Sequence, residues 1–277
     1  MKTSKLKNLF ITGLAALAFT YGCSHITYTQ QQASVPQQTS VINQCSDSKQ
    51  LEETILSESS KYQVVMLGED HADLDDDYFI ARLLPELKKQ GFKHLAVELE
   101  RNPPEASLLA KALTDYTASK ISPDEMRYRA MYTVLSPYIE GLISIVEAAK
   151  KEGMDTICYD PSYNEYESSD RRDELAFKNI KALIFNKEPK AKVIVYCGAA
   201  HLNKEKRYNP HLWSWEGRLR LKNKSKDGKF KCLAYHLNKY SRGKTLTVSV
   251  FGDDPYIDCD ITLDLKKNEY RKNNQEK

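Results

Sequence analysis

Two short motifs hold the residues best suited to chemistry, and each closes an apolar run. The first is Val64-Val65-Met66-Leu67-Gly68-Glu69-Asp70-His71; the second is Val193-Ile194-Val195-Tyr196-Cys197-Gly198-Ala199-Ala200-His201. In an extended segment Glu69 and His71, one residue apart, point the same way, close enough to hydrogen-bond or to share a metal. A carboxylate beside an imidazole raises its basicity and fixes its tautomer, which is what a general base for activating water requires. Gly68 permits a sharp exit from the strand, and the small residues before His201 let a ligand or a second backbone approach closely. Each motif alone also fits a plainer role, a loop His beside a helix start or a packed His in an apolar run. Two such strand ends in one chain favour the chemical one.

Two further apolar runs end in acid, Leu95-Ala96-Val97-Glu98-Leu99-Glu100 and Asp155-Thr156-Ile157-Cys158-Tyr159-Asp160. Glu98 follows three apolar residues and is costly to bury without a partner. That partner is either an arginine such as Arg172, or a metal or substrate. Glu100 has the side parity of Glu98 and reads as its supporting neighbour. Asp160, followed by Pro161, also fits a simple turn start. The acidic cluster Asp73-Leu74-Asp75-Asp76-Asp77 lacks Gly at the sixth and Glu at the twelfth loop position, which excludes an EF-hand. The tyrosines, Tyr159, Tyr163 and Tyr208 among them, read mostly as packing.

The elements that must position these groups alternate. Residues 62–69 form a continuous apolar run suited to a strand buried on both faces, and 73–90 read as a helix with acids in its first turn and a stripe of Ile80, Leu83, Leu84 and Leu87. Strand 94–100, a helical stretch from Pro103-Pro104 to about 119, helix 137–151, strand 155–160, helix 169–186 and strand 192–197 follow. This order predicts an α/β fold with a mainly parallel central sheet flanked by helices. The strand C-terminal ends of such a sheet share one edge, where ligands bind. After His201, a loop with Trp213 and Trp215 leads to three β-like runs, 230–237, 245–251 and 258–265. Asp227-Gly228 signals a turn before the first, and the three are expected as added antiparallel strands.

The 277 residues carry a formal charge of +3, too small to argue for nucleic acid. The N-terminus reads as a targeting segment: Lys2, Lys5 and Lys7, then apolar residues 9–19, then Gly22-Cys23. Gly before Cys resembles a bacterial lipobox, with Cys23 lipidated and the protein held at a bacterial membrane in the cell envelope; plain secretory cleavage after Gly22 is the alternative. Either way residues 1–22 are a signal peptide and the protein is exported. Residues 23–44 are expected to be a flexible Gln/Ser/Thr-rich tether, 45–266 a single α/β domain, and 267–277 a basic disordered tail. Five cysteines remain after Cys23, so at least one is unpaired if the rest form bridges. Cys232 and Cys259 are candidates for a bridge, and Cys158 and Cys197 sit near the ends of candidate neighbouring strands.

The motifs Leu67-Gly68-Glu69-Asp70-His71, Val97-Glu98-Leu99-Glu100, Arg171-Arg172-Asp173-Glu174-Leu175-Ala176 and Val195 to His201 occur in this order over residues 62–203. Together they resemble the superfamily of erythromycin esterases, ChaN-like haem-binding lipoproteins and Tiki/TraB proteases. The Gly-Glu-x-His spacing and the lipobox are most similar to the ChaN-like branch. The resemblance implies a catalytic or metal-binding set of Glu69, His71, Glu98 and His201. On that basis His71, oriented by Glu69, activates water directly or on a divalent ion (Mn, Fe, Co or Zn) shared by His71, Glu98 and His201. Arg172 then stabilises an oxyanion, with Glu100, Asp160 and Asp173 as supporting carboxylates. The implied function is hydrolysis of an ester or peptide bond in a small-molecule or peptide substrate. The alternative is a lipoprotein that binds haem or an iron-bearing ligand without turnover.

Overall fold

The computed structural model describes residues 43–45, 48–71, 73–101, 108–131, 137–166, 168–205, 230–250, 257 and 259–263. The expected signal segment, Cys23, the tether up to residue 42, Pro103-Pro104, Tyr208, the Trp213–Trp215 loop, the Asp227-Gly228 turn and the basic tail lie outside them.

Long β-branched runs become strands and the amphipathic stretches between them become crossover helices. The chain runs β1 (Asn43–Cys45), α1 (Ser48–Ser59), β2 (Val64–Glu69), α2 (Leu74–Lys89), β3 (Phe92–Glu100), α3 (Leu108–Thr117), α4 (Pro123–Met131), α5 (Pro137–Lys151) and β4 (Asp155–Asp160). It continues with α6 (Ser169–Ile180), which ends in a π turn (Lys181–Phe185), then β5 (Lys192–Gly198), a 3-10 turn (Ala199–His201), α7 (Leu233–Tyr240), β6 (Thr245–Ser249) and β7 (Ile261–Leu263). The seven strands form one sheet in the order β1-β7-β6-β2-β5-β3-β4, every pair parallel.

Because side chains alternate along a strand, each strand feeds two cores. Val65, Leu67, Leu95, Val97, Ile194 and Tyr196 face α1 to α5, whereas Val64, Met66, Ala96, Val193, Val195 and Cys197 face α6 and α7. Steps from β2 to β3 and from β3 to β4 use helices on the first face; the return from β4 to β5 and on to β6 uses the second. Moving one way over one face and back over the other is what right-handed crossovers demand.

The expectation of antiparallel strands after His201 is overturned. Leu233 to Leu237 belong to helix α7, and β6 and β7 run parallel to the rest. A parallel successor to β5 needs a crossover, and α7 supplies it, burying Leu233, Ala234 and Leu237 against the second face. Helix α4, absent from the sequence reading, packs with α3 and α5, and its Met126 and Ala130 are fully buried. The expected helix from Pro103 begins at Leu108 among the described residues, and β1 starts two residues inside the expected tether. Cys158 and Cys197 are not on neighbouring strands, because β3 lies between β4 and β5. Neither they nor Cys232 and Cys259 are joined by a disulfide.

Asp77, on α2, is packed directly onto α5 where residue 141 has no side chain. A Cβ built on Gly141 would lie 1.7 Å from Asp77 Oδ2 and 2.5 Å from its Cγ. Gly141→Ala is therefore expected to destabilise the domain by about 1–3 kcal/mol, as overpacking does, with a fall in Tm of several degrees in a thermal melt. Adding Asp77→Ser should recover most of that loss. Equal melting of wild type and Gly141→Ala would show that this close packing is absent.

Candidate functional site

The four chemically marked strand ends lie side by side. β2, β5, β3 and β4 are consecutive in the sheet, so Glu69, Gly198, Glu98 and Asp160 line one stretch of its C-terminal edge. The chain leaves β2 for α2 on the first face and leaves β5 for α7 on the second. Adjacent strands departing to opposite faces open a crevice at the edge of such a sheet. Gly68 does not form the sharp exit expected of it. It lies within β2, and a Cβ there would sit 2.6 Å from Leu202 Cδ1 and 2.9 Å from Ala199 Cα, so its small size lets the turn after β5 rest on β2.

On the first face, His71 Nδ1 lies 2.5 Å from Glu69 Oε1; the Glu69 side chain is fully buried and that of His71 is 52% exposed. Among the described residues the Glu69 carboxylate is met by His71 and lies within the influence of the Tyr196 hydroxyl. Burial raises the Glu69 carboxyl above its ordinary value against the pull of His71, and the contact with Glu69 raises His71 above 6.5. Behind the pair, the Tyr196 hydroxyl donates to Asp77 Oδ1 at 2.8 Å, and burial pushes the Asp77 carboxyl up to about 7. The imidazole packs against Gly198, where a Cβ would lie 2.9 Å from His71 Nε2 and 3.7 Å from Glu98 Oε2.

Beside this pair stands an ionic network. Glu98 Oε2 accepts the Gly198 N–H at 2.7 Å, while Oε1 meets Arg172 Nη2 at 2.5 Å and His201 Nε2 at 3.2 Å. Arg172 also donates from Nε and Nη2 to Asp160, at 2.6–3.1 Å. His201 Nδ1 contacts Asp173 Oδ1 at 2.9 Å, and Asp173 Oδ2 accepts the Leu233 N–H at the start of α7. Burial works against charge on Glu98, but His201 and Arg172 outweigh it and hold this carboxyl well below the usual range. Burial likewise works against charge on His201, and Asp173 and Glu98 outweigh it, holding the imidazolium well above 6.5. Burial raises Asp160 against the opposing pull of Arg172.

These contacts settle what each predicted residue can do. Carboxylates only accept, so a ring facing one through each nitrogen must carry both protons. His201 is thus an imidazolium with no lone pair for a metal. Glu98 has both oxygens engaged by Arg172, His201 and Gly198. The expected ion shared by His71, Glu98 and His201 does not fit this donor set, and among the described residues no three His, Cys, Asp or Glu side chains are placed to hold one. Arg172 is the partner that buried Glu98 requires; its Nε and Nη2 are bound to carboxylates, so those nitrogens are not open to the oxyanion expected at this residue. Asp160 and Asp173 join the network. Glu100 sits opposite Asp160 beyond a bulge that breaks the alternation between Val97 and Glu100, so the parity used to group it with Glu98 does not carry through. Tyr196 and Asp77 were missed: Tyr196 is the one polar tip in the apolar run of β5, and Asp77 reads as an ordinary first-turn acid.

A cavity of about 250 Å³ lies along β4, lined by Val97, Leu113, Ile157, Leu183 and other residues, with Arg101 at its rim.

No family model matches the chain, and no curated protein matches its sequence. Solved structures similar in fold include the type III effector HopBA1, 15% identical over 76% of this chain and 92% of that one, with a TM-score of 0.45. RRSP, a MARTX toxin effector domain from Vibrio vulnificus CMCP6, is 15% identical over 78% of this chain but only 40% of its own length, with a TM-score of 0.47. ChaN of Campylobacter jejuni, described with cofacial haem binding, is 14% identical over 76% of this chain and 90% of its own, with a TM-score of 0.43. Likeness at this level is one of fold.

Removing Arg172 would leave Glu98 as a buried, undercompensated charge. Arg172→Met is expected to cost about 3–5 kcal/mol in a urea melt. Glu98→Gln in the same chain should return part of that loss, and a pair of additive penalties would show that the two side chains do not depend on each other.

Proposed function

We propose that this chain is an exported hydrolase of the cell envelope, anchored through a lipid on Cys23, that cleaves an ester or peptide bond with the Glu69–His71 pair as its base. One observation carries the reading: a half-exposed imidazole is gripped through Nδ1 by a buried carboxylate. Glu69 keeps the ring proton on Nδ1, which leaves Nε2 as the acceptor. A water would reach Nε2 from the exposed side of the ring. As His71 takes its proton, the hydroxide adds to the substrate carbonyl and the imidazolium forms beside Glu69; the imidazolium then gives that proton to the departing alcohol or amine as the ester or peptide bond breaks. The network holds Glu98 and Gly198 in place for this step.

The purified protein is tested on panels of aryl esters and of peptides, each with His71→Ala and Glu69→Gln alongside. Turnover on one panel should fall by about 10²–10⁴-fold in His71→Ala while the folded near-UV spectrum persists. The reactive form of His71 is the deprotonated one, and its pKa is raised, so kcat/KM should climb with pH through a midpoint above 6.5 that is lost in Glu69→Gln. Turnover that survives His71→Ala overturns the assignment. So does the absence of turnover on both panels combined with a saturable Soret band on haem titration, which would make the chain a binding lipoprotein. Anchoring is tested separately: Cys23→Ala should move the protein from the membrane fraction to the soluble one.

A further inference from the structure

Beside Glu69, the first face of the site holds a second buried acid and a hydroxyl that the water-activating step does not use. Asp77 is 1% exposed and Glu69 2%, and both approach the Tyr196 side chain, which is itself fully buried. The Tyr196 hydroxyl has one proton to give. In the structure that proton goes to Asp77 Oδ1 at 2.8 Å, while the same hydroxyl also bears on Glu69, which His71 Nδ1 faces at 2.5 Å. Such an arrangement has two states. With Asp77 ionised, Tyr196 donates to it, and Glu69 directs its full charge at His71 Nδ1. With Asp77 protonated, the carboxyl donates to the phenolic oxygen, the Tyr196 proton turns to Glu69, and the hold of Glu69 on His71 weakens.

We propose that Asp77 and Tyr196 are positioning residues for the Glu69–His71 pair, sharing one phenolic proton so that Asp77 governs how firmly Glu69 holds His71 Nδ1. The proposal rests on the reading of that pair as the base. The fold invests in the contact: Gly141 on α5 leaves the space that Asp77 Oδ2 fills, and no larger residue could stand there with Asp77 in place. The charged groups acting on Asp77 are Glu69 at the end of β2, His71 just beyond it and Asp73 at the cap of α2, with Tyr196 the hydrogen-bonding group presented by β5. Burial places the Asp77 carboxyl near 7, so both states are populated around neutral pH.

The test reads His71 itself and needs no substrate. In ¹⁵N-labelled protein, the ring nitrogens of His71 are followed by long-range ¹H–¹⁵N NMR against pH in wild type, Asp77→Asn, Tyr196→Phe and the double variant. Asp77→Asn keeps the shape but stays neutral, so it should lower the His71 midpoint by about 0.5–1 unit. Tyr196→Phe should also move the midpoint, and adding Asp77→Asn to it should produce a much smaller further shift than in wild type. A His71 midpoint unchanged in a folded Asp77→Asn, or equal shifts with and without Tyr196, overturns the proposal. Either result would leave the hydrolase reading to stand or fall on the His71→Ala turnover. If Asp77→Asn fails to fold, Tyr196→Phe alone decides: an unmoved His71 midpoint there overturns the proposal, and a moved one supports it.

Discussion

A buried carboxylate that cannot stand alone organises this edge of the sheet. Glu98 is 8% exposed at the end of a strand whose preceding three residues are fully buried and apolar. An ionised group in such a place costs several kcal/mol unless opposite charge and hydrogen bonds surround it. Three segments meet that demand: α6 brings Arg172, the turn after β5 brings His201, and the end of β5 brings the Gly198 N–H. Arg172 is far in sequence from the neighbouring Gly198 and His201, and Glu98 is far from all three, so one buried carboxylate ties β3, β5 and α6 together. Asp173 then extends the tie to the first N–H of α7. The bulge in β3 between Val97 and Glu100 lies where Glu98 turns toward these partners, as bulges beside sites commonly do.

The same demand separates two histidines that look equivalent on paper. Both follow a glycine by three residues at the end of an apolar strand. His201 lands between two carboxylates and is fixed as a cation. His71 has one buried carboxylate on Nδ1 and keeps half of its side chain exposed. A base needs a lone pair that a substrate can reach, which is why the proposed role falls to His71 and not to His201. The charge of His201 holds Glu98 ionised.

The convergence of four strand ends was legible because parallel sheets bury their strands on both faces and so spell them as unbroken apolar runs. Residues 64–69, 155–160 and 192–198 could hardly be anything else. The C-terminal third was not legible in the same way. Leu233, Ala234 and Leu237 suit helical spacing, but within 230–237 they also suit a short buried strand, and periodicity alone does not decide so short a run. The meeting of Glu69, His71, Glu98, Arg172 and His201 at one edge of the sheet was legible; how they pair was not. A carboxylate and two imidazoles fit a metal as readily as an ion-pair network until Arg172 is seen to occupy the place of the cation. Asp77 was hidden for a related reason, since an acid in the first turn of α2 already has an explanation in the helix dipole. Only the third dimension shows it facing inward, against a glycine of α5.

Placing the base on one face of the sheet and its ionic support on the other has a mechanical consequence. Glu69 and Tyr196 belong to the face covered by α2 and α5, whereas Arg172 and Asp173 come from α6 on the opposite side. The two groups come together around Gly198, whose N–H binds Glu98 and whose missing side chain makes room for the His71 ring. A methyl at that position would stand 2.9 Å from His71 Nε2 and 3.2 Å from Cε1, so the imidazole would have to move against its contact with Glu69, while Glu98, 3.7 Å away, could keep its pair with Arg172. The glycine is therefore a point at which the proposed proton acceptor and the charged scaffold are fitted to each other.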